Sequence, residues 1–381
     1  MLSQQPKNVY IHIPFCRQKC KYCSFVSFTD LGLKEDYLAA LKKEIKHHYR
    51  GEVLDTLYFG GGTPSILEPE EIKEIIGMFN VTPQTEITLE MNPEDWKDFV
   101  LDYSQRAKAW FCPLGRAGSL RDTAHLRKSA NRLSIGCQTF DEGILRKIGR
   151  RHTGVVHATG NCSFDFIYGL PGQTIEGFEE DLKQAVALGV KHVSLYGLKI
   201  DEGCYFAQNP PENLPDADAQ ADMYLKAVEI LTQNGYEHYE ISNFALDGYQ
   251  SRHNMNYWAN GTYYGFGAAA HGYHGGVRYS NTSNLQDYIA NPLKRESEHI
   301  LSTQEQLEEE IFLGFRRIKG INTQTINEKF GIDFDDKYAE VLAKYPSHIL
   351  KTEQGYRLSP EGILLSNTIL AEFLLGPLSS V

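Results

Sequence analysis

The stretch from Asn8 to Phe25, NVYIHIPFCRQKCKYCSF, constrains this chain more than any other. An apolar strand, Val9 to Ile13, runs directly into a loop carrying Cys16, Cys20 and Cys23 in C-x3-C-x2-C spacing. Three thiolates so close in one loop can converge on one face of a metal cluster. Cysteine thiolates are the usual ligands of iron–sulfur clusters. A four-iron cubane given three cysteines keeps one iron open for a further ligand. A zinc loop would need a fourth Cys or His nearby, and neither His12 nor the distant cysteines complete such a spacing. Three incidental core cysteines are the remaining alternative.

The rest of the composition narrows the field. The chain's 381 residues suffice for one large domain plus a smaller one. There are 38 basic and 49 acidic residues, a net charge of −11, which argues against a partner gripped by its phosphates, so no nucleic acid is expected. No apolar run of about 18 residues suggests a membrane span. Peripheral docking to a membrane stays compatible with the sequence. MLSQQPKN at the start lacks the apolar core of a signal peptide. Seven cysteines, an odd number with three in one loop, argue against a disulfide framework and fit the reducing cytoplasm.

Beyond the cysteine loop the pattern alternates. Lys34 to His48 reads as an amphipathic helix, with Tyr37, Leu38, Leu41 and Ile45 on one face. Val53 to Phe59 reads as a buried strand ending in Gly60-Gly61-Gly62-Thr63-Pro64. Glycines there let the backbone approach a ligand with free N–H groups, or simply make a tight turn into the helix opened by Pro69. Strands are expected at Glu86–Met91, Asn131–Gly136, Ser163–Tyr168, His192–Leu198 and, as one piece, Gly235–Phe244. Helices are expected from the Asp141 cap through Gly149, at Ile175–Leu188 and at Asp218–Asn234. Such alternation means parallel strands with crossover helices. Six or so units predict an α/β fold, a partial (β/α)6 TIM-like barrel, with an open doubly wound sheet as the alternative. The segment YYGFGAAAHGYH, Tyr263 to His274, packs its backbone closely against either a neighbouring sheet or a ligand.

From Ser302 three helices and a hairpin (Ile349–Thr352 with Tyr356–Leu358) predict a winged-helix-like α+β appendix. Residues 302–381 carry eight basic against twelve acidic residues, so a packing or docking role fits better than DNA reading. The expected organisation is a core at 1–240, a connecting segment at 241–300 and the appendix at 301–381.

The motifs YIHIPFC, YFGGGTPS, EMNPED, NRLSIGCQTFDE, GRRHT, IYGLPGQT, SLYGL and HNMNYW together resemble one narrow family. It is that of the HemW-type haem chaperones of the radical S-adenosylmethionine (radical SAM) superfamily, relatives of the oxygen-independent coproporphyrinogen III oxidases. The resemblance implies a radical SAM core, a 4Fe–4S cluster on Cys16, Cys20 and Cys23, and SAM on the open iron. It carries SAM contacts onto Tyr10, Gly61, Gly62, Thr63, Glu90, Gln138, Arg150 and Asp165. Taken singly, Glu90 and Asp165 also read as strand-end caps and Arg150 as a helix C-terminal charge. Haem is the further cofactor implied, with His253 of HNMNYW as axial ligand beside Tyr257 and Trp258, and with His271 and His274 as weaker candidates. A packed loop with a hydrogen-bonded His is the alternative for His253. An unidentified haem-acceptor protein is the implied partner.

Two features set the chain apart from the oxidases. These resemble C-x3-C-x2-C-x-C, whereas Phe25 stands at the last position here, and they carry a longer N-terminal extension than the fifteen residues preceding Cys16. No coproporphyrinogen oxidase activity is expected, with a radical SAM oxidoreductase as the alternative function. The chain also departs from the family. Thirty-five residues lie between Asp95 and Asn131, where relatives have about one helix. Only GVVHATGNCSF lies between Thr153 and Asp165. A thinned helix layer there would leave apolar strand surface uncovered.

Overall fold

The structure is a computed structural model that describes residues 5–95, 130–154, 156 and 160–374. The unusual stretch 97–130 lies, apart from Ala130, outside the described residues. Six parallel strands lie side by side in chain order: β1 (Asn8–Ile13), β2 (Thr56–Gly61), β3 (Glu86–Met91), β4 (Arg132–Gln138), β5 (Cys162–Tyr168) and β6 (His192–Gly197). Parallel neighbours require crossovers. Those described contain α1 (Lys34–His48), α2 (Pro69–Ile76), α3 (Glu142–Lys147) and α4 (Ile175–Ala187). The expected α/β partial barrel is what forms.

Local chemistry sets the helix ends. Glu35 and Asp36 open α1 and Lys46, His47 and His48 close it, matching the helix dipole. Pro69 sits in the first turn of α2 behind a Glu68–Glu71 capping box. Asp141 accepts the Ile144 N–H to start α3, and Thr174 accepts that of Gly177 to start α4.

The sheet extends at both ends. After α5 (Ala217–Gln233), β7 (Glu237–Glu240) and β8 (Asn243–Ala245) form an antiparallel pair, with β8 on β6. The single strand expected at Gly235–Phe244 is therefore two. The Glu240 carboxylate accepts the Ser242 N–H at 2.9 Å and the Asn243 amide, which folds the chain back on itself. After α6 (Arg252–Trp258), β9 (Tyr264–Phe266) pairs parallel with β1 at the other edge. The glycine- and alanine-rich segment thus packs on a sheet. A Cβ on Gly265 would fall 1.8 Å from the carbonyl oxygen of His271, so β10 (His271–His274) lies directly on β9. Three more elements, β11 (Val277–Asn281), α7 (Leu285–Ala290) and β12 (Arg295–Ile300), are tied to α1 by buried Glu44. It accepts from Gly267 N–H, Asn281, Tyr288 and Arg295 at 2.6–2.9 Å.

The short connection before β5 does not leave that strand bare. Phe164 and Phe166 are fully buried, with the Phe140 ring 5.3 Å from that of Phe166 and Val156 also in the core. The C-terminal unit has its own core around Leu307, Ile311, Phe315, Phe334, Tyr338 and Phe373. Helices α8 (Thr303–Gly314) and α9 (Thr323–Phe330) pack with α10 (Ala339–Lys344), α11 (Pro360–Leu364) and α12 (Ser366–Ala371). A three-stranded antiparallel sheet, β13 (Ile321–Asn322), β15 (Gly355–Leu358) and β14 (Ile349–Lys351), completes the winged-helix-like arrangement. Among the described residues, no helix is long and apolar enough to cross a membrane.

Candidate functional site

Parallel α/β barrels keep ligands at the C-terminal ends of their strands, and the expected residues gather there. The cysteine loop leaves β1 and is pinned along its length. Cys16 N–H donates to Phe28 O at 2.9 Å, Lys21 N–H to Ile148 O at 3.0 Å, and Phe206 N–H to Lys21 O at 3.0 Å. The Gln18 amide donates to Gly149 O at 3.2 Å.

The glycine run lies directly on this loop. A Cβ on Gly62 would stand 2.6 Å from Phe15 O and 3.0 Å from Cys16 Sγ. Gly61, at φ +113, holds a left-handed conformation, and a Cβ there would strike the His12 ring at 2.7 Å. Thr63 Oγ1 donates toward Cys16 Sγ at 3.5 Å while accepting from the Asn92 amide at 3.3 Å. On the other side, the Arg150 guanidinium donates to Gly136 O and reaches Cys20 Sγ at 3.6 Å. Its Nε is buried without a hydrogen-bond partner. Burial pushes the thiols of Cys16 and Cys23 up, and each feels its neighbours in the loop.

Donors aimed at two of the three sulfurs, with an orphaned guanidinium nitrogen beside them, fit a bound thiolate cluster and an anionic co-ligand. Among the described residues, no three His, Cys, Asp or Glu side chains could hold a single metal ion.

Glu90 ends β3 with both oxygens engaged, Oε1 accepting from Tyr58 at 2.8 Å and Oε2 from Gly61 N–H at 3.2 Å. Burial pushes its pKa up from 4.5 to about 7, with Asp165 adding to the rise and Tyr58 opposing it. Asp165 is held by Ser134 at 2.9 Å and Ser163 at 3.3 Å, and burial raises it too. Gln138 sits at φ 66 where the β4–β5 register slips, a left-handed conformation rare for a non-glycine residue. Glycine at 136 lets it converge with Arg150. A Cβ there would meet Gln138 Nε2 at 2.8 Å and an Arg150 nitrogen at 3.0 Å. Tyr10 faces the same space, its hydroxyl 3.1 Å from His12 Nδ1.

The raised Glu90 predicts a pH-dependent stability. The folded state holds this proton more tightly than the unfolded chain. Its contribution is therefore most favourable below about 4.5 and is lost as pH climbs through 7. The melting temperature of the cofactor-free wild type should fall relative to Glu90→Gln across that window. A flat difference between the two would show that Glu90 titrates normally.

His253 is placed differently from its expected role. Its ring is 1% exposed, with Nδ1 at 2.7 Å from Thr56 Oγ1 and Nε2 at 2.8 Å from the Tyr257 hydroxyl. Burial pushes its pKa down to about 3. As it stands, both ring nitrogens are engaged in hydrogen bonds and neither is open to a further ligand. His271 is exposed and His274 half-buried. Tyr58, Asn92 and Gly136 were not among the expected site residues. Of these, Tyr58 had a signal: it stands two residues before Gly60 on a strand of period two, so it faces the same side.

Comparison with known proteins agrees with this geometry. The radical SAM superfamily pattern matches residues 10–185, and the HemN C-terminal domain pattern matches residues 301–365. Heme chaperone HemW of Lactococcus lactis subsp. lactis (strain IL1403) is 35% identical over 400 residues, spanning 99% of this chain and 100% of that protein. Heme chaperone HemW of Bacillus subtilis (strain 168) is 34% identical, spanning 97% and 99%. Among solved structures, the coproporphyrinogen III oxidase HemN from Escherichia coli, described as a radical SAM enzyme, superposes with a TM-score of 0.76. It covers 98% of this chain and 91% of its own at 21% identity, a likeness of fold.

Proposed function

The chain belongs to the HemW-type haem chaperones of the radical SAM superfamily, and from that membership we propose that it binds haem and passes it to an acceptor protein. In this reading it holds a 4Fe–4S cluster on Cys16, Cys20 and Cys23, with SAM beside it, and works in the cytoplasm. The observation that carries the reading is the meeting of the glycine run and the cysteine loop, where Gly62 and Thr63 press on Cys16 Sγ.

When bound, the cluster and SAM supply one-electron chemistry that belongs to the cofactors. The chain's residues supply the surroundings. Thr63 and Arg150 donate to thiolate sulfurs, which stabilises their charge. Glu90 and Asp165 offer carboxylates at strand ends, while Gln138 and Arg150 offer donors. For haem, an axial ligand must present an open nitrogen to iron. We assign that contact to His271, which is exposed and lies one strand beyond Gly265, the partner of Tyr10.

The test is anaerobic reconstitution followed by reduction and electron paramagnetic resonance. Saturating SAM should perturb the reduced cluster's signal. An unchanged signal would leave the cluster a structural element and remove SAM from the function.

A further inference from the structure

The HNMNYW helix is joined to the strand-end site by a column of stacked rings. α6 is fixed at its start because the Glu86 carboxylate accepts the N–H groups of Arg252 at 3.0 Å and His253 at 3.1 Å. With Thr56 on one nitrogen and Tyr257 on the other, the His253 ring cannot turn without losing both hydrogen bonds. Its face stacks on Tyr58, centroids 4.9 Å apart and planes 26° apart. Tyr58 stacks in turn on Tyr10, at 6.1 Å and 26°.

The hydroxyl of Tyr58 meets a site residue, and that of Tyr10 meets His12 beneath the glycine run. Tyr58 donates to Glu90 Oε1 at 2.8 Å. Tyr10 donates to His12 Nδ1, because His12 Nε2 carries the proton it gives to Val26 O at 3.0 Å. Val26 lies three residues beyond Cys23 in the chain leaving the cysteine loop.

We propose that His253 is a positioning residue: its ring holds Tyr58 in the one orientation that keeps the phenol on Glu90, and so presets the carboxylate for SAM. The inference rests on the SAM reading of the site and deepens it. Tyr58 is only half-buried, so without the His253 face its ring would gain rotational freedom, and fixing it beforehand removes that entropy from the binding step. The stretch whose residue types suggested a haem ligand thereby belongs to the architecture of the SAM site.

The test titrates SAM against the electron paramagnetic resonance signal of the full-length, reconstituted and reduced protein. The variants are His253→Ala, His253→Phe, Tyr58→Phe and the double variant His253→Ala with Tyr58→Phe. Deleting the ring should weaken SAM about tenfold, the size of a lost hydrogen bond to a charged group. His253→Phe keeps a ring over Tyr58 and should retain most of the affinity. The double variant should bind no more weakly than Tyr58→Phe alone, because the imidazole acts through that phenol. Full affinity in His253→Ala, or additive losses in the double variant, would overturn the proposal. A wild type whose signal ignores SAM would instead overturn the SAM reading itself. If His253→Ala does not fold, His253→Gln takes its place, since it keeps polar partners and removes the stacked ring.

Discussion

Alanine at Cys16, Cys20 or Cys23 should abolish the broad visible absorption of the reconstituted protein, while alanine at Cys137, Cys162 or Cys204 should leave it intact. The expectation follows from where the sulfurs lie. The first three share one pinned loop, and two of them receive donors, from Thr63 at 3.5 Å and Arg150 at 3.6 Å. Each would hold a different iron, so losing any one leaves an iron without a protein ligand and the cluster collapses.

Cys137 and Cys162 are buried at 0% and 1% exposure in the apolar cluster of the main sheet. Cys204 packs with Ile144, Ile148 and Phe206 in a separate patch. These three behave as small apolar side chains, and their loss costs packing rather than iron. The measurement is iron content and visible absorption after anaerobic reconstitution of each variant. Equal dependence on Cys137 or Cys162 would end the three-ligand assignment.

How much of this was legible in the sequence depends on which forces act locally. Asn8–Ile13, Lys34–His48 and Glu86–Met91 take the expected form because their periodicity and end residues agree with their burial. The β7–β8 turn escaped because one carboxylate, Glu240, satisfies Ser242 N–H and the Asn243 amide, a pattern that residue types do not announce. Gln138 was expected at the site from family motifs, but its left-handed backbone and the room left by Gly136 are tertiary facts. His253 shows the limit most clearly. A His among Tyr and Trp looks the same in sequence whether it ligates iron or stacks in a wall. The hydrogen bonds to Thr56 and Tyr257 that engage both its nitrogens here are tertiary facts that residue types do not carry.

Haem should bind to this protein without coproporphyrinogen oxidase turnover. Phe25 stands where the oxidases carry a further cysteine. Its side chain is 67% exposed beside the cysteine loop, offering an apolar contact and no sulfur. The fold likeness to HemN, at 21% identity, does not supply that group. Titrating haem into the protein should give a saturable Soret band. His271→Ala should shift or weaken that band, because the only imidazole of the three that is exposed would be gone. His253→Ala should leave the band in place, its effect falling on SAM. Porphyrinogen assayed anaerobically with SAM and a reductant should remain unconverted. Loss of the Soret band in His253→Ala with SAM affinity intact would return the axial role to α6 and require that helix to open. Measurable decarboxylation would make the protein a radical SAM oxidoreductase despite Phe25.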